Sequence, residues 1–307
     1  MSVDLLAGIL TGLLVAATPL ILAALGELIV EKAGVLNLGV EGMMVIGAYA
    51  GFATKIATGS YGVAFAGAVA AGMLMGLLFG ILTQVLLSNQ VASGLALTLF
   101  GLGLSALFGA SATGLTAGAF PRLDALGVPG RFAAGVDVLV LMALALVFAV
   151  NYVLERTRAG LVLRAVGENH DAAHAIGYPV VVVRMLALAF GGGMAGLGGA
   201  YLSLVQTPFW VERMTAGRGW IALALVAFAA WRPFRVLGGA LLFGGITILQ
   251  LHSQGFGLKV DAQVLSMLPY LATIVVLVLI SRDVTAGGKS SRLKAPQSLG
   301  KIFSGTA

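Results

Sequence analysis

Long apolar runs separated by short polar breaks dominate this chain, and they predict its architecture. The runs cover roughly 4–25, 39–58, 62–87, 91–110, 136–154, 184–205, 218–231, 235–252 and 265–281. Most are long enough to carry an α-helix across a hydrocarbon core, which takes about 20 apolar residues. None alternates apolar and polar positions as the strands of a membrane barrel do. The pattern therefore predicts an all-α, polytopic transmembrane bundle of about nine membrane segments. The run at 218–231 is short and ends in "WRPFR". There Pro233 stops a helix, and Arg232 and Arg235 mark a tight turn at the membrane surface.

Composition agrees. The chain of 307 residues is 59% hydrophobic and only 10% charged, with a mean hydropathy of +1.03. A soluble domain would be roughly a quarter charged. The first run lacks a basic leader before Asp4 and continues to about Leu25, so it reads as a membrane helix and not as a cleaved signal.

Charge then orients the chain. Arg156, Arg158, Arg164 and Arg184 crowd one loop, and Arg282, Lys289, Arg292, Lys294 and Lys301 crowd the tail. Basic residues collect in cytoplasmic loops, so the net charge of +6 reports topology and not nucleic-acid binding. Four runs separate the two basic segments, so both can be cytoplasmic. Loop 111–135 and the N-terminus then fall outside. Residues 1–282 are expected to form the permeation domain, with a basic cytoplasmic tail at 283–307.

Little points to catalysis. Without cysteine there is no disulfide, thiolate metal site or Cys nucleophile. His170, His174 and His252 are too scattered for a metal site. "GGGMAGLGG" has the G-x-G-x-x-G spacing but lies inside an apolar run, where no strand precedes it. Together with Gly72, Gly76 and Gly80 it reads as small-residue helix packing. "GGKSS" at 287–291 has Asp283 where a phosphate loop needs its first glycine. No catalytic residue, metal or cofactor is therefore expected in this chain.

Two polar segments remain. "GELIVEKAGVLNLGVEGMMVIGAY" at 26–49 places Glu27, Glu31, Lys32, Asn37 and Glu41 in one window. Glu27 and Glu31 form a like-charge i,i+4 pair, which a simple surface helix avoids. Gly34, Gly39 and Gly42 suggest an interrupted segment, as transporters use where backbone lines a cavity. The window reads as a broken polar hinge at the pathway entrance, or as a solvated loop. The second segment, Glu168 to Ile176, reads as a short helix. Asn169 is its N-cap, Asp171 lies in its first turn, Gly177 closes it and Pro179 stops it. On physics alone it is equally a docking plug for another protein or a surface loop.

Motif likeness separates these readings. The "G-E-N…A-A…I-G" pattern over Gly167, Glu168, Asn169, Asp171, Ala172, Ala173 and Gly177 resembles the coupling loop (about 156–183) of ABC-importer permeases that serve ribose, branched-chain amino acids and nucleosides. It differs from the Glu-Ala-Ala form of the wider superfamily by Asp171. The opening window, with Glu27, Glu31, Lys32, Gly34, Asn37, Gly39, Glu41 and Gly42, is similar to the signature of nucleoside-type and simple-sugar-type permeases. "GRGWIALALVAFAAWRPFRVLGGALLFG" at 217–244 resembles a later segment of the same family.

The resemblance implies a multi-pass permease of the bacterial cytoplasmic membrane that moves nucleosides. Its partners would be a second permease, a cytoplasmic ABC ATPase holding ATP and Mg, an extracytoplasmic substrate-binding protein and membrane lipid. A simple sugar is the alternative cargo. An ion-gradient-driven transporter is the alternative class, but it would want an ionisable residue deep in runs 62–87, 184–205 or 265–281, and none is there. A nucleoside needs aromatic or thioether faces beside hydrogen-bonding groups. Glu27, Asn37, Glu41, Met43, Met44, Gln206 and Trp210 are thus the expected pathway residues.

Overall fold

The computed structural model describes residues 3–125, 127, 135–255 and 295–305, with isolated positions between 267 and 278. The expected run at 265–281 falls mostly outside the described residues. Within them the chain is helical, joined by turns and two isolated β-bridges.

Ten α-helices follow in order: α1 Val3–Lys32, α2 Val40–Thr58, α3 Tyr61–Gly80, α4 Gln90–Gly109, α5 Val138–Arg156, α6 Arg158–Glu168, α7 His170–Ala175, α8 Val180–Tyr201, α9 Arg218–Phe228 and α10 Pro233–Gly255. Five stretches are long and apolar enough to cross a bilayer: Ala7–Lys32, Tyr61–Val85, Gln90–Ala112, Val138–Arg156 and Val180–Gln206. Arg218–Phe228 and Pro233–Leu249 are shorter apolar helices. The described residues thus bear out a helical membrane bundle with five full-length spans and shorter apolar helices, without confirming all of the expected nine segments.

The first helix corrects the sequence reading. It does not stop near Leu25 but continues to Lys32, carrying Glu27 and Glu31 inside it. The charges ride on helix because the bundle supplies their partners. The interruption is confined to residues 33–39. Another difference is α6, which the sequence reading left as loop. It is amphipathic, Thr157 caps it by accepting from Gly160 N–H at 3.2 Å, and it ends at Glu168 where the next helix was expected to begin.

Helix α8 is the centre of the fold, with α1, α2 and α3 packed on it. A Cβ at Gly72 would lie 2.1 Å from Gly192 O, and one at Gly47 would lie 2.2 Å from Gly196 Cα. The glycine pattern is therefore backbone-to-backbone packing, as expected for small residues at four-residue spacing. Both α3 and α8 end in a π-turn, Ile81–Val85 and Leu202–Gln206. Such turns shift the side chains that follow, and they often mark functional sites.

Candidate functional site

The polar window and the segment before α9 meet through Glu41. Residues 207–217 start beside the α4–α5 connection, where Thr116 pairs with Phe209 and Ala117 N–H donates to Pro208 O at 2.9 Å. They then reach the first turn of α2. There Glu41, only 5% exposed, accepts from Thr215 Oγ1 at 2.5 Å, Gly217 N–H at 2.9 Å and Gly219 N–H at 2.6 Å. The carboxylate thereby caps the N-terminus of α9, where unpaired amides and the helix dipole favour negative charge. Contact is close enough that a Cβ on Gly219 would lie 2.5 Å from Glu41 Cα. Two helices thus begin at one point inside the bundle, and the turn after α9 carries Trp231, whose indole N–H donates to Glu31 Oε2 at 2.5 Å.

Asn37 organises the break between α1 and α2. Its Oδ1 accepts from Gly39 N–H at 3.0 Å, and its Nδ2 donates to Glu27 Oε2 at 3.1 Å. Glu27 Oε1 is the only buried side-chain N or O among the described residues that lacks a hydrogen-bond partner. Such an orphan is costly in a low-dielectric interior. Glu27, Asn37 and Glu41 are thus brought together around the start of α2. Met43 and Met44, adjacent on α2, are fully enclosed in the core.

The other pathway candidates lie towards the far ends of α2 and α8. Gln206, placed by the α8 π-turn, donates to Val15 O at 2.6 Å and lines a cavity of about 520 Å³ with Phe120, Arg122, Asp124 and Asp137. Trp210 is buried and meets Tyr49 edge-to-face at 5.4 Å, and Tyr49 in turn stacks on Phe108 at 6.3 Å. Two residues of this region, Asp137 and Tyr201, were not among the expected pathway residues. Asp137 caps α5 by accepting from Leu139 N–H and Val140 N–H, and it also accepts from Tyr201 Oη at 2.7 Å.

At the α6–α7 end the short helix forms as expected. Asn169 Oδ1 accepts from Ala172 N–H at 3.0 Å, and Gly177, at φ +93°, closes the turn through its N–H to His174 O at 2.8 Å. Glu168, Asn169, Asp171, Ala172, Ala175 and Ile176 are exposed. Gly167 and Ala173 face inward. Ala173 packs with Val166, Val180 and Phe303, and a Cβ on Gly167 would lie 2.0 Å from Lys32 O.

A buried cluster joins α7 to the break after α1. Arg184, with no exposed surface, donates from Nε to Ala33 O at 3.2 Å and from Nη1 to Gln84 Oε1 at 3.1 Å and Lys301 O at 3.3 Å. Its Nη2 lies 3.0 Å from His170 Nδ1. Burial, then the Arg184 charge, push the His170 pKa below its ordinary value, with Asp171 opposing. The imidazole is therefore neutral near pH 7, and its Nδ1 accepts from Arg184. Residues 295–305 fasten this end, with Ser298 N–H donating to Gly167 O at 2.9 Å and Ser298 Oγ accepting from His170 N–H at 3.2 Å.

Comparison with known proteins shows the family. The family model "Branched-chain amino acid transport system / permease component" matches residues 9–280. A Haloferax volcanii protein named "Putative glucose ABC transporter permease protein TsgC13" is 44% identical, over 88% of this chain and 91% of its own. The guanosine ABC transporter permease protein NupQ of Bacillus subtilis is 32% identical, over 90% of this chain and 92% of its own. The nucleoside ABC transporter permease protein NupC of Lactococcus lactis subsp. cremoris is 33% identical, over 88% and 91%. No solved structure matches significantly. With its helical bundle, interrupted α1–α2 segment and capped α7, matched over nearly its whole length, the chain belongs to the permease-component family of ABC transport systems.

Proposed function

We propose that this chain is one half of the membrane pathway of an importer for nucleosides, with the α6–α7 end in the cytoplasm. As a permease component it is a transport subunit and not an enzyme, and ATP is hydrolysed by a partner ATPase. In this reading the exposed face of α7 docks on that ATPase. A second permease completes the path, and an extracytoplasmic binding protein delivers substrate. The path passes the Glu27–Asn37–Glu41 junction, with Met43 and Met44 behind it and Gln206 and Trp210 at the outer side.

The observation that carries the nucleoside reading is that two full-length relatives are named for guanosine and nucleosides. The Tyr49–Phe108–Trp210 group adds aromatic faces on which a base can stack. Glucose is the second reading, favoured by the relative at 44% identity. Both cargoes present several hydroxyls, which suits a polar junction. The deciding experiment is uptake of labelled adenosine, uridine and glucose by the reconstituted importer with its own binding protein. Saturable, ATP-dependent nucleoside uptake is expected. Glucose uptake unaffected by excess nucleoside would overturn the nucleoside reading.

Orientation is checked separately with single cysteines, since the native chain has none. A cysteine at Gly118 should react with an impermeant reagent applied outside intact cells, whereas one at Ser304 should not. The opposite labelling would reverse the proposed topology.

A further inference from the structure

Where α1, α5 and α6 meet the turn between α9 and α10, a cavity of about 580 Å³ opens. Four cations line it: Lys32, Arg164, Arg232 and Arg235. Glu155 is the one acidic side chain in the lining. Nearby Glu31 already accepts the Trp231 indole N–H. Lys32, Arg232 and Arg235 make no direct ion pair among the described residues, although Glu168 and Glu155 attract Lys32 from farther away. Pro233, Phe234 and Arg235 also line the cavity, so the positive end of the 23-residue helix α10 faces it.

Like charges gathered at the end of a membrane bundle repel, and an anion between them relieves that repulsion. One wall tells which anion. Phe234 stacks edge-to-face on Phe148 at 5.2 Å, and both rings are exposed, as are neighbouring Tyr152 and Val153. The strip of Phe148, Tyr152 and Val153 lies on α5, a helix long and apolar enough to span the bilayer. A polar head in the cavity would therefore continue into an apolar tail lying along the strip.

We propose that this cavity binds a phosphate group, and that the group is the headgroup phosphate of an anionic phospholipid. Arg232 and Arg235 hold it at the mouth, while Lys32 and Arg164 close the inner side. Basic pockets between membrane helices are suited to such headgroups, at about 1 kcal/mol for each nearby cation. Arginine adds a planar fork that matches phosphate oxygens. The proposal does not depend on the cargo or on which end is cytoplasmic.

The test uses the assembled transporter in neutral detergent, titrated with phosphatidylglycerol or phosphatidylcholine and followed by native mass spectrometry. Wild type should take up phosphatidylglycerol in preference to phosphatidylcholine. The double variant R232Q/R235Q should bind it roughly thirty-fold more weakly, the equivalent of about 2 kcal/mol. R232K/R235K should recover part of the affinity. R156Q/R158Q, altered at exposed arginines of the same end outside the cavity, should bind as wild type does. Equal loss in that control, or wild-type binding by R232Q/R235Q, would overturn the site. Competition by millimolar inorganic phosphate, lost in R232Q/R235Q, would overturn the lipid assignment in favour of the free ion.

Discussion

Replacing Ala172 by arginine together with Ile176 by glutamate will abolish ATP-driven uptake while leaving the permease folded and in the membrane. Both side chains are exposed, Ile176 at 73% of its surface, and neither contributes to the core under α7. An apolar side chain this exposed, on a rigid capped turn, is positioned for a partner surface. Charge placed in the centre of such an interface costs about 2 kcal/mol or more, a docking affinity weaker by roughly thirty-fold. Uptake by reconstituted vesicles, with co-purification of the ATPase, provides the readout. Near-normal uptake by the double variant would show that the exposed face of α7 does not couple. Ala173 is the instructive contrast. It is 2% exposed and packed on Val166, Val180 and Phe303. Its replacement by arginine should destabilise this end of the chain, so a loss of uptake there would say nothing about docking.

Glu41→Ala will destabilise the transporter by about 3 kcal/mol or more, because three donors lose a shared buried acceptor at about 1–3 kcal/mol each. The donors are Thr215 Oγ1–H and the amides of Gly217 and Gly219, the last two at the positive end of α9. Glu41→Gln should fall between, keeping one acceptor oxygen while turning an NH₂ group towards donors. Thr215→Val should be mildest, as it removes a single donor and leaves the carboxylate on both amides. The midpoint of thermal unfolding in detergent and the rate of uptake should follow this order. An unfolding midpoint for Glu41→Ala equal to that of wild type would sink the capping role. A stable but transport-dead Glu41→Gln would instead place the carboxylate in the path itself.

Which features could be read from the chain follows from the range of the interactions behind them. The cap of α7 spans three residues, from Asn169 Oδ1 to Ala172 N, so its whole mechanism is written in adjacent letters. The glycine spacing on α3 and α8 is likewise local, although which helix meets which is not. Helix α1 shows the opposite case. The apolar run stops near Leu25, and beyond it Glu27 and Glu31 are two acids one turn apart, which oppose a helix in isolation. Their partners Asn37 and Trp231 lie 10 and 200 residues away, and only the assembled bundle brings them close. Helix α6 was missed because its single apolar face is short and interrupted by arginine and glycine. Burial of Gly167 against Lys32 and the seat provided by Ser298 hold it in place.

The sequence by itself determined the solvent of this protein, its helical class, the close packing of its glycine seams and the small capped helix, since each depends on hydrophobicity or on contacts within about one helical turn. Only the tertiary structure decided where the charges of the polar window go. A buried carboxylate persists only where donors converge on it, and those of Glu41 come from 174 to 178 residues along the chain. The same holds for Arg184, which ties Ala33, Gln84, His170 and Lys301 into one buried cluster. Convergence of this kind is a property of packed helices and has no signature in the order of residues along one of them.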